Sequence, residues 1–136
     1  MTSELNLDYA EARRAIDAIL EEVTRRGKAA VIAVADSHGE LIALARMDGA
    51  PLSSITVASN KAYTAARAGK PSFDVGAKVR HPEQGFDICY YGDPRYCGWG
   101  GGVPVKRDGK VVGSVAVSGL PQEEDMEVVQ LGIAAV

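Results

Sequence analysis

The chain has 136 residues, of which 46% are hydrophobic and 24% are charged, and its formal net charge is −3. This length and composition predict one globular domain, residues 1–136, whose core is large enough to need no disulfide or metal. The acidic balance argues against nucleic acid and anionic membranes as partners. Because the sequence shows neither a long apolar span nor a signal-peptide pattern, we expect a cytoplasmic protein.

The first third of the chain predicts a helix followed by a hairpin. Apolar residues recur at three- and four-residue steps over about Leu7–Arg26, which indicates an amphipathic helix whose start either Asn6 or Ser3 could cap. The continuously apolar segment Ala30–Ala35 is typical of a strand that is covered on both faces. A short turn then leads into a returning strand, Leu41–Arg46.

The middle of the chain predicts two helices and a long connection. Small residues recur along Leu52–Ala68, so this helix can pack tightly against a sheet. A short helix over Ser72–Val79, capped by Ser72, is expected to follow. The long loop, Arg80–Cys97, has little periodicity, and connections of this length inside a small domain are usually functional or disordered. Its aromatic residues favour an ordered binding loop or a subunit contact.

The last third of the chain predicts a second hairpin. Its arms are Val103–Lys106 and Lys110–Val117, and the turn between them ends on a glycine where a positive φ is needed. Regular alternation along the second arm would place Val112 on the same face as Ser114.

The chain closes with a predicted helix over Pro121–Ala135, whose acidic start, Glu123–Asp125, suits the positive end of the helix dipole. The resulting order is α, ββ, αα, ββ, α. This order predicts a mostly antiparallel sheet with helices on both faces.

Consecutive glycines precede the second hairpin. Gly100, Gly101 and Gly102, the glycine run, offer three backbone N–H groups without side-chain cover. Such a run can form an anion-binding nest, a bulge or a flexible bend. The two cysteines, Cys89 and Cys97, are expected to be reduced thiols, and their spacing with His81 matches no zinc signature, so we predict no metal site.

Three cations lie in otherwise apolar surroundings: Arg46, Lys61 and Arg80. Together they could hold a carboxylate or a propionate, because arginine offers a planar fork and lysine a point charge. The alternative is that each forms a surface salt bridge with a nearby acid. The candidate acids are Asp48, Asp74 and Glu83.

The long loop supplies the remaining candidate site residues. His81 lies at its mouth and is a candidate ligand or general base. Tyr90 and Cys97 are alternative acid–base groups. Tyr96 and Trp99 provide flat surfaces on which a ligand can stack.

Three segments, Val34–Ala50, Ser59–Ala66 and Gly100–Gly119, together resemble the GlcG/HbpS-like haem-binding family, which includes the C-terminal domain of PduO-type proteins. The resemblance implies an α/β (α+β) sandwich of profilin-like type, with a central antiparallel sheet flanked by helices. It also implies a homo-oligomer, ranging from a dimer to an octamer built from dimers. The aromatic loop, Phe86–Trp99, departs from the family pattern because it is longer and richer in aromatic residues and cysteine. The resemblance assigns no axial haem ligand to a position in this chain.

Three functions follow from these patterns, and the sequence leaves enzymatic activity open. The first is an oligomeric protein that binds haem or another tetrapyrrole, with the aromatic loop stacking on the macrocycle and the three cations pairing its carboxylates. Such a protein could also degrade the haem it binds. The alternative is a cofactor-independent lyase, isomerase or hydrolase acting on a small carboxylated metabolite, with the glycine run, Lys61 or Arg80 binding the anion. A scaffold without a ligand is the third.

Overall fold

The helices and strands follow the predicted order, and every boundary agrees with its prediction to within two residues. The computed structural model describes residues 5–136. The elements are α1 (Tyr9–Arg25), β1 (Val31–Asp36), β2 (Leu41–Arg46), α2 (Ser53–Ala68), α3 (Ser72–Val79), a 3-10 turn (Ile88–Tyr91), β3 (Gly102–Arg107), β4 (Lys110–Ser118) and α4 (Gln122–Ala135).

The four strands form one antiparallel sheet in the order β2-β1-β4-β3. Helices α1 and α4 pack on one face of this sheet, and α2 packs on the other with α3 beside it. The central strand β1 is buried along almost its whole length because helices cover both of its sides. The predicted sandwich of a central antiparallel sheet and flanking helices is therefore confirmed.

The two faces of the sheet carry side chains of different size. Ile32 and Val34 of β1 pack towards α1 and α4, in a core of branched aliphatic residues. The alternate residues of β1 pack on the alanines of α2. Few large side chains take part in this contact. Because the side chains on both surfaces are small, α2 lies close to the sheet. The Ser114 hydroxyl therefore donates to the Ala62 carbonyl at 2.6 Å. The tight packing predicted for α2 is confirmed.

The cap of α1 differs from the prediction. Asp8 accepts the Glu11 N–H at 2.8 Å, and the Glu11 carboxylate accepts the Asp8 N–H at 2.9 Å, which is a complete capping box. Asn6 instead accepts the backbone N–H of Ser37 at 2.8 Å, so it ties the N-terminal segment to the first hairpin. The other predicted cap, Ser3, lies outside the described residues.

The second hairpin contains a bulge that reverses one predicted orientation. Its turn residues Asp108 and Gly109 have φ values of 52° and 76°, as a type I′ turn requires. The pairing of β3 with β4 then skips one residue at Val112. Val112 consequently joins the core under α1, where its carbonyl accepts the Leu7 N–H at 2.8 Å, and does not share the face of Ser114.

Candidate functional site

Two side chains of α2 hold the long loop against the body of the protein. Tyr63 is buried, and its hydroxyl donates to the Asp93 carboxylate, which lowers the pKa of that carboxyl. The guanidinium of Arg95 lies 3.7 Å from the centre of the Tyr63 ring. The Thr64 hydroxyl accepts the backbone N–H of Cys97 at 2.8 Å. The loop is thus an ordered wall, as expected of either a binding loop or a subunit contact.

The aromatic side chains of the loop stack on one another. The rings of Tyr91 and Tyr96 are stacked with their centres 4.5 Å apart, and Phe86 lies 5.7 Å from Tyr91. Tyr96 also meets Tyr63 edge to face, at 5.8 Å. This continuous series of rings gives the loop a rigid apolar inner surface.

This surface borders a cavity of about 400 Å³, which we call the aromatic cavity. Its lining residues are Val79, Arg80, Phe86, Ile88, Tyr96, Cys97, Gly98 and Trp99. Arg80 is held by a hydrogen bond from its guanidinium to the Gly98 carbonyl, at 3.2 Å. The structure therefore brings together Arg80, Tyr96, Cys97 and Trp99 from the predicted site residues.

A larger polar cavity of about 570 Å³ adjoins the first, and Arg80 and Trp99 line both. The remaining lining residues of the polar cavity are Pro51, Ser53, Ser54, Lys61, Ser118, Gly119, Leu120, Gln122 and Asp125. The cavity lies where α2 and α4 begin and where β4 ends. Its lining is therefore rich in hydroxyl, amide and charged groups.

A buried ion pair lies in the wall of the polar cavity. Lys61 is 2% exposed and Asp125 is 3% exposed. The Lys61 ammonium donates to the Asp125 carboxylate at 3.1 Å and to the Val117 carbonyl at 2.9 Å. The second carboxylate oxygen of Asp125 accepts the Leu120 N–H at 3.1 Å. Lys61 is thus paired with a buried acid, and not with any of the surface acids weighed from the sequence.

Burial raises the pKa of Asp125 to about 6, although the positive charge of Lys61 opposes the change. A carboxyl group with this pKa exchanges a proton near neutral pH, which most carboxyl groups do not. The polar cavity therefore contains a titratable group whose charge changes just below neutral pH.

The glycine run leads from Trp99 into the start of β3 and lines neither cavity. The Gly100 N–H donates to the Gln122 side chain at 2.8 Å, and the Gly102 N–H donates to the Ser72 hydroxyl at 2.9 Å. Gly101 has φ of 127°, and a Cβ atom there would lie 2.9 Å from the Lys61 ammonium nitrogen. The run is therefore needed for close packing around the ion pair, and two of its three N–H groups already have protein acceptors.

The other predicted residues lie outside both linings. Arg46 is exposed at the end of the edge strand β2. His81 is exposed, and its Nδ1 accepts the backbone N–H groups of Glu83 and Gln84. Tyr90 is 82% exposed on the outer side of the aromatic loop.

Sequence reasoning missed two residues of the site. Asp125 was predicted only to suit the positive end of the helix dipole, yet it is the one acid of Glu123–Asp125 that is buried. The available signal was its spacing, since it lies three residues before Val128 and four before Val129, both of which are buried. Ser72 was predicted to cap α3, but it donates to the Trp99 carbonyl at 2.7 Å and has no capping bond.

Residues 5–136 contain neither a cluster of metal ligands nor a membrane-spanning helix. No three His, Cys, Asp or Glu side chains there come together as metal ligands. Cys89 and Cys97 are both free thiols. No helix in that part of the chain is long and apolar enough to cross a membrane.

Comparison with known proteins places this chain in a family. Residues 7–134 match the family model described as haem degrading protein HbpS-like. GlcG of Escherichia coli K12 is 32% identical over 118 residues, which cover 87% of this chain and 85% of GlcG.

Solved structures agree with this match. The crystal structure of the PduOC–haem complex has a TM-score of 0.89 at 26% identity and covers 96% of this chain and 95% of its own. A double mutant of Streptomyces reticuli HbpS has a TM-score of 0.86 at 26% identity, and the match covers 96% of this chain and 87% of the mutant's chain. The family resemblance predicted from the sequence segments is confirmed: the chain belongs to the HbpS-like family.

Proposed function

We propose that this protein binds haem or a closely related tetrapyrrole in the aromatic cavity. The observation that carries the proposal is the combination of flat apolar walls, a thiol and an arginine in one cavity. Family membership supports it, because the structurally similar PduOC was solved as a haem complex.

The chemistry of the cavity fits this ligand. The rings of Phe86, Tyr96 and Trp99 offer apolar faces to a planar macrocycle. Cysteine thiolate and tyrosine phenolate are both known axial ligands of haem iron, so Cys97 and Tyr96 are the candidate iron ligands. Arg80 is exposed at the mouth and provides a fork for one propionate. Bound haem would supply a redox-active iron, and we extend the proposal to haem degradation.

We further propose that the protein acts as a homo-oligomer, up to an octamer, whose subunits complete the haem groove. Leu52, Tyr90 and Trp99 are large apolar side chains with exposures of 73%, 82% and 61%. Exposed apolar groups of this size commonly mark protein contacts. Light scattering after gel filtration measures the assembly, and a monomer at micromolar concentration would contradict this part of the proposal. A cytoplasmic location remains a prediction.

The haem proposal is tested by titrating haem into the purified protein and following its Soret band. We expect a saturable shift of the band at stoichiometric haem. Arg80→Ala should weaken binding by roughly tenfold, because a charge-assisted hydrogen bond is lost. Cys97→Ser and Tyr96→Phe identify the iron ligand, since the variant that removes it changes the band position.

A matched control is Cys89→Ser, because Cys89 is the other free thiol and does not line the cavity. It should leave affinity and band position unchanged. The proposal fails if the wild-type protein gives no Soret shift, or if all three cavity variants bind haem like the wild type. Ascorbate and oxygen added to the complex then test degradation as loss of the band.

A further inference from the structure

The polar cavity has features of a built ligand site that haem binding does not use. Four of its lining residues, Ser54, Lys61, Ser118 and Asp125, are each at most 5% exposed. The Ser118 hydroxyl donates to the Ser54 hydroxyl at 3.2 Å and Lys61 pairs with Asp125, so these buried groups hold one another in fixed positions. Their concentration around one cavity of about 570 Å³ indicates a polar ligand.

Lys61 has a donor left for such a ligand. Its ammonium group carries three N–H donors. Within residues 5–136, these have the acceptors Val117 and Asp125, and no third acceptor is present. Because Lys61 lines the cavity, a ligand oxygen can take the remaining bond.

The charges of the lining select the charge of the ligand. Lys61 and Arg80 are positive and Asp125 is negative, so the cavity carries a net charge of about +1 when all three are ionised. Helices α2 and α4 both begin at this cavity without a side-chain cap, which adds positive potential. A carboxylate monoanion balances this charge, whereas a phosphate dianion would also face the Asp125 carboxylate.

The uncharged groups indicate what else the ligand carries. Ser53, Ser54 and Ser118 place hydroxyl groups in the lining. The side-chain oxygen of Gln122 accepts the Gly100 N–H, so its amide nitrogen is left to donate. These groups match a hydroxyl or carbonyl oxygen next to the carboxylate.

We propose that the polar cavity is a second ligand site, which binds a small hydroxy- or oxo-carboxylate through Lys61 and Arg80. The site is separate from the proposed haem site apart from the shared residues Arg80 and Trp99. The two proposals can therefore fail independently.

The test is a titration of the full-length protein with lactate and with pyruvate, followed by amide chemical shifts in NMR. We expect saturable shifts at Ser54, Ser118 and Leu120 for at least one of the two acids. Lactamide, which has the same shape without the charge, should bind about tenfold to a hundredfold more weakly. Inorganic phosphate should also bind more weakly than the carboxylates.

Variants assign the effect to the ion pair. Lys61→Met/Asp125→Asn removes both charges together, which avoids a lone buried ion. It should weaken carboxylate binding by about tenfold or more. Lys78→Met, which replaces an exposed lysine outside the cavity, should change nothing. Cys97→Ser should also leave carboxylate binding intact, even if it abolishes haem binding.

Two results would overturn the inference. One is the absence of saturable shifts at the cavity amides with both acids in a protein that is folded by its NMR spectrum. The other is carboxylate binding that persists unchanged in the folded double variant.

Discussion

The ion pair between Lys61 and Asp125 predicts a large and pH-dependent effect of Lys61→Met on stability. Both side chains are at most 3% exposed, so the variant leaves a buried carboxylate whose one remaining partner within residues 5–136 is the Leu120 N–H, 3.1 Å away. Breaking a buried pair in this way typically costs about 3–5 kcal/mol of unfolding free energy. That is a large share of the roughly 5–15 kcal/mol that stabilises most domains.

The same variant should recover on acidification. In the wild-type protein burial raises the pKa of Asp125 to about 6 against the opposing charge of Lys61. Without Lys61 the pKa rises further, so the buried group becomes neutral at a mildly acidic pH and its penalty is removed. The deficit of Lys61→Met relative to wild type should therefore be smaller near pH 5 than near pH 8.

Urea unfolding followed by circular dichroism measures these differences. The protein concentration is kept fixed, because assembly affects apparent stability. Lys61→Met/Asp125→Asn should regain most of the lost stability at about pH 8, since no lone charge remains and Leu120 keeps an acceptor. Lys78→Met is the control for loss of an exposed lysine. The prediction would be refuted if the unfolding free energy of Lys61→Met lay within about 1 kcal/mol of the wild-type value near pH 8. It would also be refuted if Lys61→Met/Asp125→Asn were no more stable than Lys61→Met.

Three further predictions concern the same region. Between about pH 4 and pH 6 the folded protein keeps the Asp125 proton that the unfolded chain has lost. The unfolding free energy of the wild type should therefore fall with rising pH, by roughly 3 kcal/mol relative to that of Asp125→Asn. Urea unfolding across that pH range measures this change. Gly101→Ala should destabilise the protein by about 1–3 kcal/mol more than Gly49→Ala. Both glycines have a positive φ, but of the two only Gly101 has other atoms where a Cβ would lie. Equal losses of stability in thermal unfolding would contradict this prediction. Ser72→Ala should lower the unfolding free energy by about 1–3 kcal/mol and shift the fluorescence of Trp99, because it removes a buried hydroxyl that donates to the Trp99 carbonyl. An unchanged emission spectrum would show that Ser72 does not position Trp99.

Local sequence patterns were sufficient to predict the elements of the fold. The helix period in α1, the apolar run of β1 and the glycine-containing turn before β4 each depend on neighbouring residues, and all three were correctly placed. The bulge at Val112 was missed, because it depends on how β3 and β4 align and not on the composition of either strand.

The candidate site was predicted less completely because it depends on distant contacts. Lys61 and Asp125 are 64 residues apart, and only the position of α4 beside β4 brings them together. In the sequence, Asp125 stands in a run of three acids, and the favourable interaction of such a run with the helix dipole was the interpretation made. By contrast, Tyr96, Cys97 and Trp99 are adjacent in the sequence, so their meeting in one cavity follows from local chain geometry.

Tetrapyrrole binding is the function we propose for this member of the HbpS-like family. The most direct test is the visible absorption spectrum and the native mass of the protein purified from its own host. We expect a Soret band and an assembly whose mass exceeds a multiple of 14.3 kDa by that of the bound tetrapyrrole. A colourless, ligand-free protein that gives no Soret shift with added haem would contradict it.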